Sequence, residues 1–340
     1  MKVMAMMSGG VDSSVAAALL LRQGHEVTGV TLKLWGGVSD SGCCSVADVE
    51  DARRVAAQLD IPHSVFNFTD AFDEHVVAPY TAAYEAGRTP NPCVECNRTM
   101  KFGRLLARAE QLGFDAVATG HHARVVTTPD GPMLARGEDA AKDQSYVLYM
   151  LGRRELERTL LPVGEMSKPD VRAKAAALGL RTASKKESMD VCFITRGGRE
   201  AFLGARIERR PGVVVDTSGN VVAQHDGVDR FTIGQRRGLA VAAGARRYVV
   251  DVDAASAVVT IGERDDLLRP SITLTDICWS TGRAPAGPVL AQWRAHGAAV
   301  PAVVDGDVVT FDAPQARVAP GQVVVCYDGD IVLGGGIAAG

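Results

Sequence analysis

The chain has 340 residues and a formal net charge of −3, with 37 Lys and Arg set against 40 Asp and Glu. A hydrophobic fraction of 46 % and a charged fraction of 23 % exclude a disordered chain, and the near-balanced charge excludes a protein that coats nucleic acid over its whole surface. No apolar run approaches the ~20 residues needed to span a bilayer, and no basic-then-apolar leader precedes the first strand pattern, so a cytoplasmic protein of two or three domains, with no membrane partner, is expected.

The apolar run at residues 3–7 reads as a strand and 11–23 as an alanine- and leucine-rich helix. Between them stands SGGVDSS, Ser8 to Ser14. A glycine turn from strand into helix builds a phosphate cradle: Gly9 and Gly10 let the backbone approach an anion, and the helix's first N–H groups point at it. Ser8, Ser13 and Ser14 add hydroxyl donors, while Asp12 is a candidate contact for a divalent ion travelling with the phosphate. The loop is not GxxxxGK[ST], because the chain has no Gly-Lys pair.

Further strands are expected at 27–34, 65–68 and 114–119, the last ending at Gly120, and helices at 47–59, 71–85 and 99–112. Ser45 and Asp48 form a capping box, and a proline-bearing loop at 87–97 interrupts the alternation. Strands spaced by such helices make a parallel sheet covered on both faces, with ligands beyond the strand ends where Ser8, Leu32 and Gly120 gather. Residues 151–180 read as helical, with Ser167, Asp170 and Pro169 at one helix start. After about residue 202 short valine- and isoleucine-rich runs alternate with turns, at 213–215, 221–222, 248–252 and 258–261. Arg269–Pro270 reads as a hinge into a second β module with strands at 272–274, 277–279, 289–293, 308–311, 323–327 and 331–333. The closing LGGGIAAG is a terminal strand and tail, since no GxGxxG register fits. Six Arg/Lys doublets, Lys185–Lys186 and Arg209–Arg210 among them, read as solvated surface pairs.

Of seven cysteines, Cys278 and Cys326 fall in β runs and are expected in the core, while Cys43 and Cys44 are expected to be structural or incidental. Cys93 and Cys96 form a CxxC pair in TPNPCVECN, and Cys192 lies far along in MDVCFI. The pair fits half a zinc site, a redox couple, or sulfur chemistry shared with Cys192.

SGGVDSS resembles the PP-loop of the ATP pyrophosphatase superfamily, whose members split ATP between the α and β phosphates. Together with GRTPNPCVECNRTMKF, ATGHHAR, KDQSYVLY, LLPVGE, MDVCFI and FTIGQRRGL, in that order over nearly the whole chain, it resembles the tRNA-specific 2-thiouridylase family. The resemblance implies an α/β fold: a doubly wound parallel-sheet PP-loop domain at 1–201, a small β-rich domain at 202–268 and a C-terminal β-barrel at 269–340. It implies an enzyme that activates C2 of the wobble uridine with ATP and Mg²⁺ and then exchanges oxygen for sulfur. Met6, Met7, Ser8, Gly9, Gly10, Val11, Asp12 and Ser13, with Leu32 and Gly120, are then the nucleotide site. Cys192 carries a persulfide supplied by an upstream sulfur-carrier protein, Cys96 is its partner thiol, and a transient Cys96–Cys192 disulfide closes the cycle. Asn91, Pro92 and Cys93 border the target base, and Lys142, Asp143, Gln144, Arg294 and Ala295 contact tRNA. A monomer is expected.

One position departs from the family. Cys93 stands where most members have an aspartate, and a thiol ionises near 8.5 rather than near 4, so the aspartate's proton-moving role does not transfer unchanged. Three thiols at 93, 96 and 192 also raise a minority alternative, an iron–sulfur cluster with one open iron. The rival readings are a PP-loop ligase or amidotransferase acting on a small metabolite, and a non-catalytic metal or redox module.

Overall fold

A computed structural model describes residues 1–35, 45–186, 191–194, 198–239 and 246–339. Cys43 and Cys44 lie outside the described residues. The N-terminal domain is built on a five-stranded sheet in the order β3 (His63–Asn67), β2 (Glu26–Lys33), β1 (Lys2–Met6), β4 (Ala116–Ala118) and Thr159–Leu160, all parallel. Alternation along β1 explains the two-sided burial. Val3 and Ala5 face one core with α1 (Val11–Arg22), α2 (Val46–Gln58) and the helix Lys168–Ala177, whereas Met4 faces the other with Phe72, Tyr80, Met100 and Leu105.

Two boundaries differ from the sequence reading. The stretch expected to be one helical region at 151–180 is cut by strand Thr159–Leu160, whose pairing with Val117 and Ala118 extends the sheet by one strand. The loop expected to run to residue 97 ends at Asn91. Its side chain caps the N–H of Cys93 at 3.1 Å and Pro92 takes the first helical position, so both cysteines of the CxxC pair ride on a helix start. The helix is wound as a π-helix over Cys96–Leu105, and Gly103 makes this possible: a Cβ there would lie 2.8 Å from the Arg98 carbonyl oxygen.

A hairpin absent from the sequence reading, Ala123–Thr128 with Gly131–Arg136, leaves the N-terminal domain and pairs Ala135 with Ile331 at the far end of the chain. The central domain is a four-stranded sheet, Tyr248–Asp253, Val258–Gly262, Gly212–Asp216 and Val221–His225, around Val214, Val249 and Val259. The C-terminal strands Leu268–Trp279, Val308–Ala316, Val300–Asp305, Pro288–Gln292, Val323–Asp328 and Ile331–Ala338 close into a six-stranded barrel when the first pairs with the last. Arg269–Pro270 is therefore part of the first barrel strand, at a register irregularity, and not a hinge. The glycines of the terminal segment serve that closure: a Cβ on Gly334 would sit 2.2 Å from the Cys278 carbonyl oxygen.

Cys326 is buried in the barrel core, its thiol pushed up to about 12 by burial, and half-buried Cys278 lies 3.6 Å from the Met150 carbonyl, so both behave as packing residues. Two of the doublets are not simply solvated. Lys185 binds Asp48 and Asp51, each at 2.7 Å, and Arg209 binds buried Asp229 at 2.9 Å. Among the described residues no helix is long and apolar enough to cross a membrane.

Candidate active site

The loop after β1 turns at Gly9, whose φ of +72° and whose distance of 2.3 Å from a hypothetical Cβ to the Asp48 carbonyl oxygen both require glycine. Helix α1 then starts at Gly10, whose carbonyl accepts from Ser14 Oγ at 2.7 Å and Ser13 Oγ at 3.1 Å, while the Ser8 N–H donates to Ser13 Oγ at 3.2 Å. Gly120 follows β4, where a Cβ would lie 2.6 Å from the Ser13 nitrogen. The end of one strand is thereby pressed against the first turn of α1, leaving a mouth lined by Ser8, Gly10, Val11, Asp12 and Ser13.

Asp12 points into that mouth. Lys168 Nζ donates to both of its oxygens, at 2.7 and 2.6 Å, and His122 Nε2 lies 3.1 Å from Oδ1. Burial opposes its charge, but the hydrogen bonds from His122 and Lys168 outweigh burial and hold its carboxyl below the usual range. Neither partner was assigned from sequence. Lys168 reaches the loop because Ser167 caps its helix and the Lys168 N–H donates to Asp139 at 2.8 Å. Beside it, burial first and then Lys101 and His122 hold His121 well below the ordinary histidine value, so it is a neutral ring that meets Thr119 Oγ1 at 2.7 Å.

The mouth opens into a cavity of about 1110 Å³. Its wall includes the nucleotide-site candidates Met6, Met7, Ser8, Gly10, Val11, Asp12, Ser13, Leu32 and Gly120; Gly9 stands behind, against α2. The same wall carries Asn91, Pro92, Cys93, Cys96 and Cys192. Cys96 and Cys192 also belong to one apolar cluster. The segment bearing Cys192 is anchored by Phe193, only 1 % exposed, whose ring centroid lies 5.7 Å from Phe72, 5.3 Å from Tyr80 and 5.2 Å from Phe202.

Lys142, Asp143, Gln144 and Ala295 line the cavity as well, whereas Arg294 is exposed beside it. Asp143 is buried and fully engaged: it accepts from Arg136 at 3.0 Å, the Gly137 and Ser145 N–H groups at 2.9 and 3.0 Å, and Ser145 Oγ at 2.8 Å. Its carboxylate organises the turn rather than facing outward. Gln144 accepts from the His122 N–H at 2.9 Å and so joins that turn to the PP-loop cluster.

Comparison with known proteins decides the family. Residues 1–196 match a family model described as tRNA methyl transferase HUP domain, 200–263 one described as tRNA methyl transferase PRC-barrel domain, and 269–338 one described as Aminomethyltransferase beta-barrel domain. The chain is 47 % identical to tRNA-specific 2-thiouridylase MnmA of Herpetosiphon aurantiacus, over 98 % of this chain and 97 % of that one. It is 48 % identical to the protein of the same name from Mycolicibacterium smegmatis, over 98 % of each. The chain belongs to the tRNA-specific 2-thiouridylase family. Members are sulfurtransferases that use a PP-loop, so ATP binding follows from membership. Among the described residues no three His, Cys, Asp or Glu side chains gather closely enough to hold a metal ion. A Mg²⁺ ion at Asp12 would have to displace the Lys168 ammonium, since both carboxylate oxygens are taken.

Proposed function

We propose that this enzyme replaces O2 of the tRNA wobble uridine by sulfur in two steps within one cavity. The observation that carries the reading is that the PP-loop mouth, Cys96 and Cys192 share one wall. In the first step the uracil O2 attacks the α-phosphorus of ATP and pyrophosphate leaves, converting a very poor leaving group into AMP. The loop N–H groups and the Lys168 ammonium, together with Mg²⁺ bound to the nucleotide, balance the phosphate charge.

In the second step sulfur must arrive as a strong nucleophile at neutral pH. A sulfur-carrier protein leaves a persulfide on Cys192, and its terminal sulfur reaches C2 as AMP departs. Attack of the Cys96 thiolate on the inner sulfur of Cys192 releases that terminal sulfur as hydrosulfide and forms a Cys96–Cys192 disulfide, which an external dithiol reduces before the next turn. The anticodon-loop base is splayed out to enter, bordered by Asn91, Pro92 and Cys93. Lys142, Gln144 and the Arg294–Ala295 loop hold the tRNA beyond it.

The test is nucleoside mass spectrometry of unmodified tRNA after incubation with ATP, Mg²⁺ and a persulfide donor. The parent enzyme should yield 2-thiouridine and AMP, and Cys192→Ser should release pyrophosphate in a tRNA-dependent way but make no thiouridine. Full thiolation by Cys192→Ser would overturn the persulfide step, and pyrophosphate release independent of tRNA would overturn the substrate.

A further inference from the structure

A chain of hydrogen bonds crosses from the N-terminal domain into the barrel through one buried amide. Gln292, at the end of strand Pro288–Gln292, is 2 % exposed. Its Oε1 accepts from Arg136 Nη2 at 2.7 Å, and the other guanidinium nitrogen of Arg136 donates to Asp143 at 3.0 Å. Its Nε2 donates to the carbonyl oxygens of Arg294 and Ala295, at 2.8 and 3.2 Å. Arg136 also stacks 3.7 Å above the Tyr327 ring, which fixes the guanidinium plane. Beyond the amide, Ala295 and His296 form part of the wall of the cavity that holds Cys96 and Cys192.

Every polar atom of the Gln292 side chain is used, and each end does a different job. The acceptor end docks the barrel on the Asp143 turn. The donor end fixes two consecutive carbonyls of an otherwise exposed loop, which turns a mobile-prone connection into a shaped piece of cavity wall. We propose that Gln292 is a positioning residue for tRNA: it touches no reacting atom, and it sets the loop at 294–296 at the height of the Asp143 turn so that both engage one RNA strand. The inference rests on the tRNA-thiolation reading.

Gln292→Glu separates the two jobs, because it keeps the oxygen facing Arg136 and loses both donors to the loop; Gln292→Met removes both. Steady-state thiolation with the full chain should show KM for tRNA raised about tenfold in both variants, with KM for ATP and kcat within about twofold of the parent. In an Arg294→Ala background, Gln292→Glu should add little. Hydrogen exchange of the unaltered protein gives a readout that needs no variant: amides at 294–297 should gain protection on adding tRNA and not on adding ATP. An unchanged KM for tRNA in Gln292→Glu, a parallel rise in KM for ATP, full additivity with Arg294→Ala, or no tRNA-dependent protection would each overturn the proposal. A parent enzyme that makes no 2-thiouridine would instead overturn the reading beneath it.

Discussion

Phe193 is the most deeply buried residue of the segment that carries Cys192, and its removal is a test of the two proposed steps. Phe193→Ala deletes a ring that packs against Phe72, Tyr80, Phe202 and Trp35 at centroid distances of 5.2 to 6.1 Å. A Phe→Ala change at a fully buried site costs about 3–5 kcal/mol. That loss can fall on the whole domain or on residues 191–194 alone. Residues 191–194 add no strand to the sheet, so the cheaper response is local release. A local cost of about 3–5 kcal/mol shifts the seated-to-released ratio by roughly 10²- to 4 × 10³-fold, at 1.4 kcal/mol per factor of ten. The PP-loop, Asp12 and Lys168 lie outside that cluster and keep their contacts. Thiolation should therefore fall at least ~30-fold while tRNA-dependent pyrophosphate release stays within about threefold, with a thermal midpoint close to the parent's. Thiolation at the parental rate in a folded Phe193→Ala enzyme would refute the anchoring argument, and equal loss of both steps would show that the ring supports the whole site.

Lys168→Gln leaves Asp12 a half-paired carboxylate and removes the cation facing the phosphates, so pyrophosphate release should drop about 10²-fold or more, read in a coupled phosphate assay. Arg294→Ala should weaken tRNA binding and lower the slope of log affinity against log salt by about one; an unchanged slope across a salt series rejects the phosphate contact. His121 is neutral when folded but protonates near 6.5 when unfolded, so its contribution is fully present above that value and is lost as pH falls through it toward the depressed folded value. The thermal midpoint should fall between pH 7 and 5.5, by the equivalent of up to about 1.4 kcal/mol per pH unit from this ring, and His121→Asn should flatten that dependence.

What could be read from the chain was what the chain keeps together. SGGVDSS carries its strand, turn and helix start within one contiguous stretch, so its fold and its anion-facing N–H groups follow from local rules. Lys168 and His122 reach Asp12 from 156 and 110 residues away, and nothing local in SKPD or GHHAR marks them as its partners. The hairpin at 123–136 announced itself only through Pro129-Asp130-Gly131, a turn signal inside a region already assigned to the α/β domain. Strand Val300–Asp305 was missed because Pro301 breaks its valine run, which barrel pairing with Leu290 tolerates. The helix start at Pro92 was readable from Asn91 and Pro92 as a cap and first-turn proline; the flanking prolines drew the reading toward a loop instead.

The two thiols are held in unlike ways. The segment carrying Cys96 is clamped to the barrel on both sides. Before it, the Thr89 N–H donates to the Pro320 carbonyl at 2.7 Å and Gln322 donates to the Thr89 carbonyl at 2.7 Å. After it, Arg98 pairs with Asp276 of the first barrel strand and donates to Tyr149 at 3.3 Å. Displacing Cys96 would break these contacts together with the π-helical turns beneath it, whereas residues 191–194 are seated on the apolar cluster, with Phe193 as the most deeply buried of them. In the proposed cycle the thiol that receives the disulfide, Cys96, thus sits on a helix clamped to the barrel, and the persulfide sits on residues 191–194, which pair with no strand of the sheet.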